Sequence, residues 1–281
     1  VRIFRTKQAL RSYLGELRET KQRIALVPTM GALHEGHLTL IKEAKEIADV
    51  VVCSIFVNPT QFNDPSDLER YPRPEENDLQ LLQGIHCDIA FMPTVEEMYP
   101  KTGEPWHLDL GSLEKVWEGE KRPGHFQGVT QIVYKLFCLV EPDVACFGQK
   151  DFQQIMVIQR LIDVKKLPVI LHICPTIRNE EGLALSSRNM RLSAEGEHKA
   201  LALYRSLRHI ERYFKIRNLT ALRTEALDIL HQEGEIEVEY LAICETRSLE
   251  EIDQIDPRKK HVALLVAWVE GVRLIDNMLL D

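Results

Sequence analysis

No run of about 18 apolar residues occurs in the chain, so a membrane-spanning helix is not expected. The opening Val1-Arg2-Ile3-Phe4-Arg5 lacks the long apolar core of a secretory signal. A positive excess is missing too: 35 Lys and Arg stand against 43 Asp and Glu, a formal net charge of −8. General nucleic-acid binders usually present a basic face, so that class is not expected, although a local basic pocket is compatible with the balance. The cysteines Cys53, Cys87, Cys138, Cys146, Cys174 and Cys244 include no Cys-x-x-Cys pair. A disulfide framework or a zinc site is therefore not expected, and a reducing cytoplasm fits best. Cys53, Cys138, Cys146 and Cys174 lie inside apolar runs and are expected to behave as small core residues. There is no low-complexity tract and no internal repeat. What is left is an ordinary globular composition, 44% hydrophobic and 28% charged, over 281 residues, enough for one large domain or, more in keeping with its pattern, two.

The most informative stretch is Pro28-Thr29-Met30-Gly31-Ala32-Leu33-His34-Glu35-Gly36-His37. It follows a strand-like apolar run, Ile24-Ala25-Leu26-Val27, and leads into apolar residues at helical spacing. A strand turning through small residues into a helix aims unpaired N–H groups and the positive end of the helix dipole at one spot, which suits a phosphate. His34 and His37 could donate to the same anion. No Gly-Lys-Ser/Thr follows, so this is not a Walker loop, and the spaced-glycine dinucleotide fingerprint is absent. The metalloprotease pattern needs histidines four apart; these are three apart with no third ligand nearby, so no metal ligand is assigned.

Alternation of strand and helix continues to about residue 174. Strands are expected at 49–57, 88–93, 143–147 and 168–174, and helices at 5–21, 75–85, 129–140 and up to about 164. The pattern implies an α/β fold, a Rossmann-like doubly wound parallel sheet with right-handed crossovers. Ligands of such sheets bind beyond the carboxyl ends of the strands. The His34/His37 turn, the Asn58/Gln61 turn and the turn at 148–151 all fall there, and should converge. A smaller α+β unit follows, with helices near 194–216 and 220–233 and strands near 237–244, 261–269 and 273–277. Glu270-Gly271 suits a hairpin turn. The expected domains are thus 1–175 and 176–281.

Ser186, Ser187 and Arg188 offer two hydroxyls and a guanidinium, a set able to grip a triphosphate. Lys150 supplies a mobile charge for a phosphate in transfer. Asn58, Gln61 and Gln154 are neutral amides suited to a hydroxylated substrate. No Ser-His-Asp arrangement stands out, so a covalent enzyme intermediate is not favoured. The paired histidines with a distant Ser/Arg grip point to nucleotidyl transfer. Two alternatives remain beside it: a transferase that stops at a nucleotidyl product, and a nucleotide-binding module without catalysis.

Seven segments carry a resemblance in order from about residue 23 to 277. They are residues 27–37, 55–62, Arg70-Tyr71-Pro72-Arg73, Arg122-Pro123-Gly124-His125-Phe126, residues 147–154, Leu185-Ser186-Ser187-Arg188-Asn189, and Arg273-Leu274-Ile275-Asp276-Asn277. Together they closely resemble the pantoate–β-alanine ligase (pantothenate synthetase) family. The resemblance implies an ATP-dependent ligation of pantoate and β-alanine through pantoyl adenylate, releasing AMP and pyrophosphate, with Mg²⁺ accompanying ATP. It implies that the backbone from Met30 through Gly31, Ala32, Leu33, His34, Glu35 and Gly36 to His37 cradles the nucleotide. His37 would be the proton donor, with His34 beside it on the phosphates. Gly148 and Asp151 would bind ribose, Lys150 with neighbouring Gln149 the phosphates, and Ile177 the adenine. Leu185, Ser186, Ser187 and Arg188 would hold the triphosphate. Gln61 and Gln154 would hold pantoate with Asn58 as a further contact, and Val129, Ile132 and Val133 would wall its gem-dimethyl group. Gln149 stands where many members have Glu, which puts any carboxylate role there in doubt. The resemblance further implies a homodimer and a C-terminal lid hinged near Pro175.

Overall fold

Apolar runs of strand length alternate with helices from residue 2 onward in the computed structural model, which describes residues 1–101 and 105–280. They group into two units, one of residues 1–148 with 154–175, the other of 149–153 with 176–281.

In chain order the first unit contains β1 (Arg2–Phe4), α1 (Lys7–Glu19), β2 (Ile24–Thr29), α2 (Glu35–Ile47), β3 (Val50–Ile55), α3 (Pro65–Arg70) and α4 (Glu75–Gly84). It continues with β4 (Ile89–Phe91), α5 (Val95–Met98), α6 (Trp117–Lys121), α7 (His125–Val140), β5 (Val144–Gly148), α8 (Phe152–Lys165) and β6 (Ile170–Cys174). Its strands form one parallel sheet in the order β1-β4-β3-β2-β5-β6. The direction of winding reverses at β2, between β3 and β5, the position where open α/β sheets leave a crevice beyond the strand ends. Ala25, Val27, Val51, Cys53, Val144 and Cys146 bury one face against Leu40, Ile41 and Ala44 of α2. The alternate set Ile24, Leu26, Val52, Phe91 and Ala145 is equally buried. A sheet covered on both faces is why these strands read as near-continuous apolar runs.

Three details differ from expectation. β1 is too short to show a pattern and exists because Arg2–Phe4 pairs with β4. Helix α7 starts at His125, four residues before the expected 129, with Gly128 inside its first turn. Cys138 is exposed rather than in the core, while the other five cysteines are buried. The run containing Cys138 is helical, so one of its positions falls on the outer face of α7.

The second unit holds α9 (Ala194–Tyr213), α10 (Leu219–Gln232), β7 (Ile236–Glu245), β8 (His261–Val269) and β9 (Val272–Leu280). The strands form an antiparallel sheet in sequence order. Leu203, Leu207 and Ile210 of α9 and Leu222 and Leu230 of α10 share a core with Ala263, Leu265 and Ala267 of β8. Glu270 and Gly271 both have positive φ, 51° and 71°, closing the β8–β9 hairpin with the expected two-residue turn. Among the described residues no helix is long and apolar enough to cross a membrane.

Candidate functional site

In the first unit the 29–37 turn is held from beneath. Thr29 Oγ1 donates to the Ser54 carbonyl at 2.7 Å and accepts from the Gly31 N–H at 3.2 Å. Gly31 (φ 81°) and Ala32 (φ 49°) then reverse the chain in left-handed conformations. A side chain on Gly31 would sit 3.0 Å from Asp78 Oδ2 and 3.1 Å from Ile55, so both conformation and space favour glycine. Asp78, 1% exposed on α4, accepts from Ala32 N at 2.9 Å and Leu33 N at 2.7 Å. Burial pushes its carboxyl above the usual range, against the pull of those two donors.

His34 is the N-cap of α2, its Nδ1 accepting from Gly36 N at 3.1 Å, and His37 Nδ1 accepts from His34 N at 3.4 Å. The rings lie 4.1 Å apart between centroids. Because both Nδ1 atoms accept, each neutral ring carries its proton on Nε2, the nitrogen that can donate to an anion. Glu35 is exposed and paired to Lys42 at 2.7 Å.

The amides fall into two groups. Asn58 is 1% exposed and fully engaged. Its Nδ2 donates to Gln61 Oε1 at 3.0 Å and the Gly128 carbonyl at 3.1 Å, while Oδ1 accepts from Tyr99 at 2.7 Å and Thr60 at 3.1 Å. These bonds occupy both Asn58 amide hydrogens and fix its side chain within the turn. Gln61 Nε2 reaches Met30 Sδ at 3.0 Å, linking this cluster to the histidine turn. Burial pushes the Tyr99 phenol up to about 12, so it stays a hydrogen-bond donor. Gln154, half-buried on α8, makes no side-chain hydrogen bond among the described residues. Val129, Ile132 and Val133 share one buried stripe of α7. Gly148 closes β5 with open space around it, Leu40 lying 3.9 Å from where a side chain would begin.

The second unit gathers Lys150, Ser186, Arg188, Arg273 and Asp276 around one cleft. Asp276 is paired with Arg178 at 2.6 Å and Arg273 with Glu239 at 2.8 Å. Lys150 and Arg188 have no ion pair among the described residues, so the cleft carries two unbalanced positive charges, the electrostatics of an anion site. Ser186 caps the turn at Ser187–Arg191 by accepting from Arg188 N at 3.2 Å. Asn277 Nδ2 holds the carbonyls of Gln149 at 2.9 Å and Lys150 at 2.8 Å, while Gln149 donates back to Asn277 Oδ1 at 3.2 Å. Leu185 N donates to the Ile177 carbonyl at 2.9 Å. Leu185 and Ser187 border the cleft residues in sequence without lining it, and Asp151 is exposed.

Comparison with known proteins decides the family. The family model for pantoate-beta-alanine ligase matches residues 2–279. This chain belongs to the pantoate–β-alanine ligase family. The pantothenate synthetase of Cytophaga hutchinsonii is 46% identical over 97% of both chains, and that of Thermotoga petrophila 42% over the whole of both. Among solved structures, pantothenate synthetase from Thermus thermophilus superposes with a TM-score of 0.92 at 39% identity, covering 99% of each chain. The Francisella tularensis pantoate-beta-alanine ligase, described as complexed with beta-gamma ATP and beta-alanine, gives 0.82 at 34% identity over 99% and 97%. The α/β parallel sheet with a smaller antiparallel unit is the architecture of these ligases.

Within this ligase chain four residues had no role assigned from the sequence. Asp78 fastens the histidine turn, Tyr99 orients Asn58, Asn277 fixes the Lys150 backbone, and Gly128 lets α7 touch the turn at Pro59–Gln61. A side chain at Gly128 would meet the Thr60 carbonyl oxygen at 2.2 Å. Only Asn277 and Gly128 had any local signal, lying within or beside quoted segments. Asp78 and Tyr99 look like an ordinary helix residue and an ordinary loop aromatic.

Proposed function

We propose that this ligase condenses pantoate with β-alanine through pantoyl adenylate. The observation that carries the proposal is the pair of cations, Lys150 and Arg188, lining one cleft with no ion pair among the described residues. The relative from Francisella, with its ATP compound and β-alanine, supports the same substrates here.

In the first step a pantoate carboxylate oxygen attacks the α-phosphorus of ATP, the bond from that phosphorus to the bridging oxygen breaks, and pyrophosphate leaves. Lys150, Arg188, Ser186 and Ser187 offset the charge that builds on the departing phosphates. His34 and His37 donate through Nε2. Their Nδ1 atoms accept backbone N–H groups within the turn. Gln61 and Gln154 orient pantoate, and Val129, Ile132 and Val133 supply its apolar wall. In the second step the β-alanine amine attacks the acyl carbon, the acyl–oxygen bond to AMP breaks, and the ammonium proton is lost. A carboxylate is a poor acyl electrophile, and AMP makes it a good one.

Gly148 and Asp151 are assigned to ribose, Ile177 to adenine, and the backbone of Met30, Gly31, Ala32, Leu33, Glu35 and Gly36 to the nucleotide, with Leu185 and Gln149 beside the phosphates. The donors around the cleft are cationic or neutral apart from Asp276, which is already paired. They fit phosphate oxygens rather than a cation, so Mg²⁺ would arrive on ATP, held by phosphates and water. Cytoplasmic location and a homodimer belong to the same reading, the latter checked by solution mass.

The test is exchange of labelled pyrophosphate into ATP without β-alanine. Exchange that requires pantoate is expected; exchange absent, or independent of pantoate, overturns the adenylate route.

A further inference from the structure

β6 is an edge strand, and its residues two apart point to the same side. His172 and Cys174 therefore share a face, as does Cys146, the register partner of His172 on β5. That face is the one packed under α2, whose Leu40 and Ala44 bury Cys146 and Cys174 in a common core. Glu43 stands beside them on α2 and reaches His172 Nε2 at 3.1 Å through Oε2. One donor atom each from Glu43, His172 and Cys174 lies within 4.8 Å of the others. Cys146 belongs to the same buried cluster as Cys174.

We propose that Glu43, His172 and Cys174 bind a divalent zinc ion between α2 and the edge strand β6. Oxygen, nitrogen and sulfur together are the donor set of a borderline-soft ion, and neither Mg²⁺ nor Ca²⁺ takes a thiolate. Charge also balances. A carboxylate and a thiolate cancel the two positive charges of the ion, with a neutral imidazole as third ligand and water completing a tetrahedron. The Glu43–His172 separation is close to the roughly 3.3 Å between two ligands on one tetrahedral zinc, and the Cys174 thiol lies within 4.8 Å of both donor atoms. The side chains of His172 and Glu43 are 36% and 32% exposed, giving a route in, while Cys174 is fully buried and Cys146 shields its inner side. Binding releases the thiol proton and fastens the latter half of α2 to the sheet. Positions 43, 172 and 174 follow no zinc spacing in sequence; the topology alone assembles them.

The experiment is titration of chelator-stripped protein with Co²⁺, followed by Zn²⁺. One equivalent of Co²⁺ is expected to give thiolate-to-cobalt charge-transfer absorption in the near ultraviolet, which Zn²⁺ displaces, and zinc is expected to raise the thermal midpoint. Cys174→Ser should abolish the absorption, and His172→Gln should weaken binding about tenfold or more. His198→Gln, an exposed histidine on α9, should leave both unchanged. If Cys174→Ser fails to fold, His172→Gln decides, since that side chain is partly exposed. A wild-type spectrum without the thiolate band overturns the proposal. So does binding by His172→Gln within about threefold of wild type, which would place the ion on other histidines.

Discussion

Lys150 and Arg188 differ from the other charged residues of their cleft in having no ion pair among the described residues. A cation held ready in this way acts on charge that appears during reaction. Lys150→Ala is therefore expected to slow adenylate formation about a hundredfold in single-turnover measurements, and a rate within about threefold of wild type would remove Lys150 from that role. Gln61 is held in place by Asn58, and Gln61→Ala should weaken pantoate binding about tenfold with ATP affinity unchanged. Calorimetric titration with each substrate separates the two effects. Asp78 acts at one remove. An amide at position 78 can accept from one of the two N–H groups but turns its own donor toward the other. The buried carboxylate already costs folding free energy at neutral pH, because burial raises its protonation range. Asp78→Asn should thus change unfolding little while weakening ATP binding about tenfold, a split that an ordinary core defect would not produce.

At the scale of elements, the helix α7 and the turn at Pro59–Gln61 form one device. Gly128 is the point of contact, and Gly128→Ala forces the Thr60 carbonyl away. Pantoate affinity should fall more than ATP affinity, because the displaced turn carries Asn58 and Gln61. Strands and helices were legible wherever they were long enough to carry a pattern: β2, β3, β5, β6 and the β8–β9 hairpin stand where apolar runs and turn residues put them. The early start of α7 was hidden by its own composition. Gly128 reads as loop, yet it lies in the helix because a neighbouring backbone occupies the space a side chain would need. Cys138 differs for the opposite reason: an apolar run predicts core, but in a helix one of its positions falls on the outer face.

At the scale of the whole molecule, the site was legible to the extent that it is contiguous. Residues 30–37 and 185–188 are each written in one segment, whereas Asp78, Tyr99 and Asn277 meet their partners across 45, 41 and 127 positions. Only the topology supplies those contacts. Stability against pH also depends on tertiary placement. His261 is 3% exposed, its Nε2 has no hydrogen-bond partner among the described residues, and burial lowers it from the ordinary 6.5. The unfolded chain takes up this proton first, so stability is full above 6.5 and is lost as pH falls toward the lower folded value. Urea unfolding followed through that window should show His261→Gln with a flatter dependence than wild type. The ligase reading itself rests on coupling between two substrates. AMP release from ATP and pantoate, measured with and without β-alanine, tests it most directly. Sustained AMP release that requires β-alanine, with at most one turnover in its absence, is the expected result; release at the same rate without β-alanine would contradict the account.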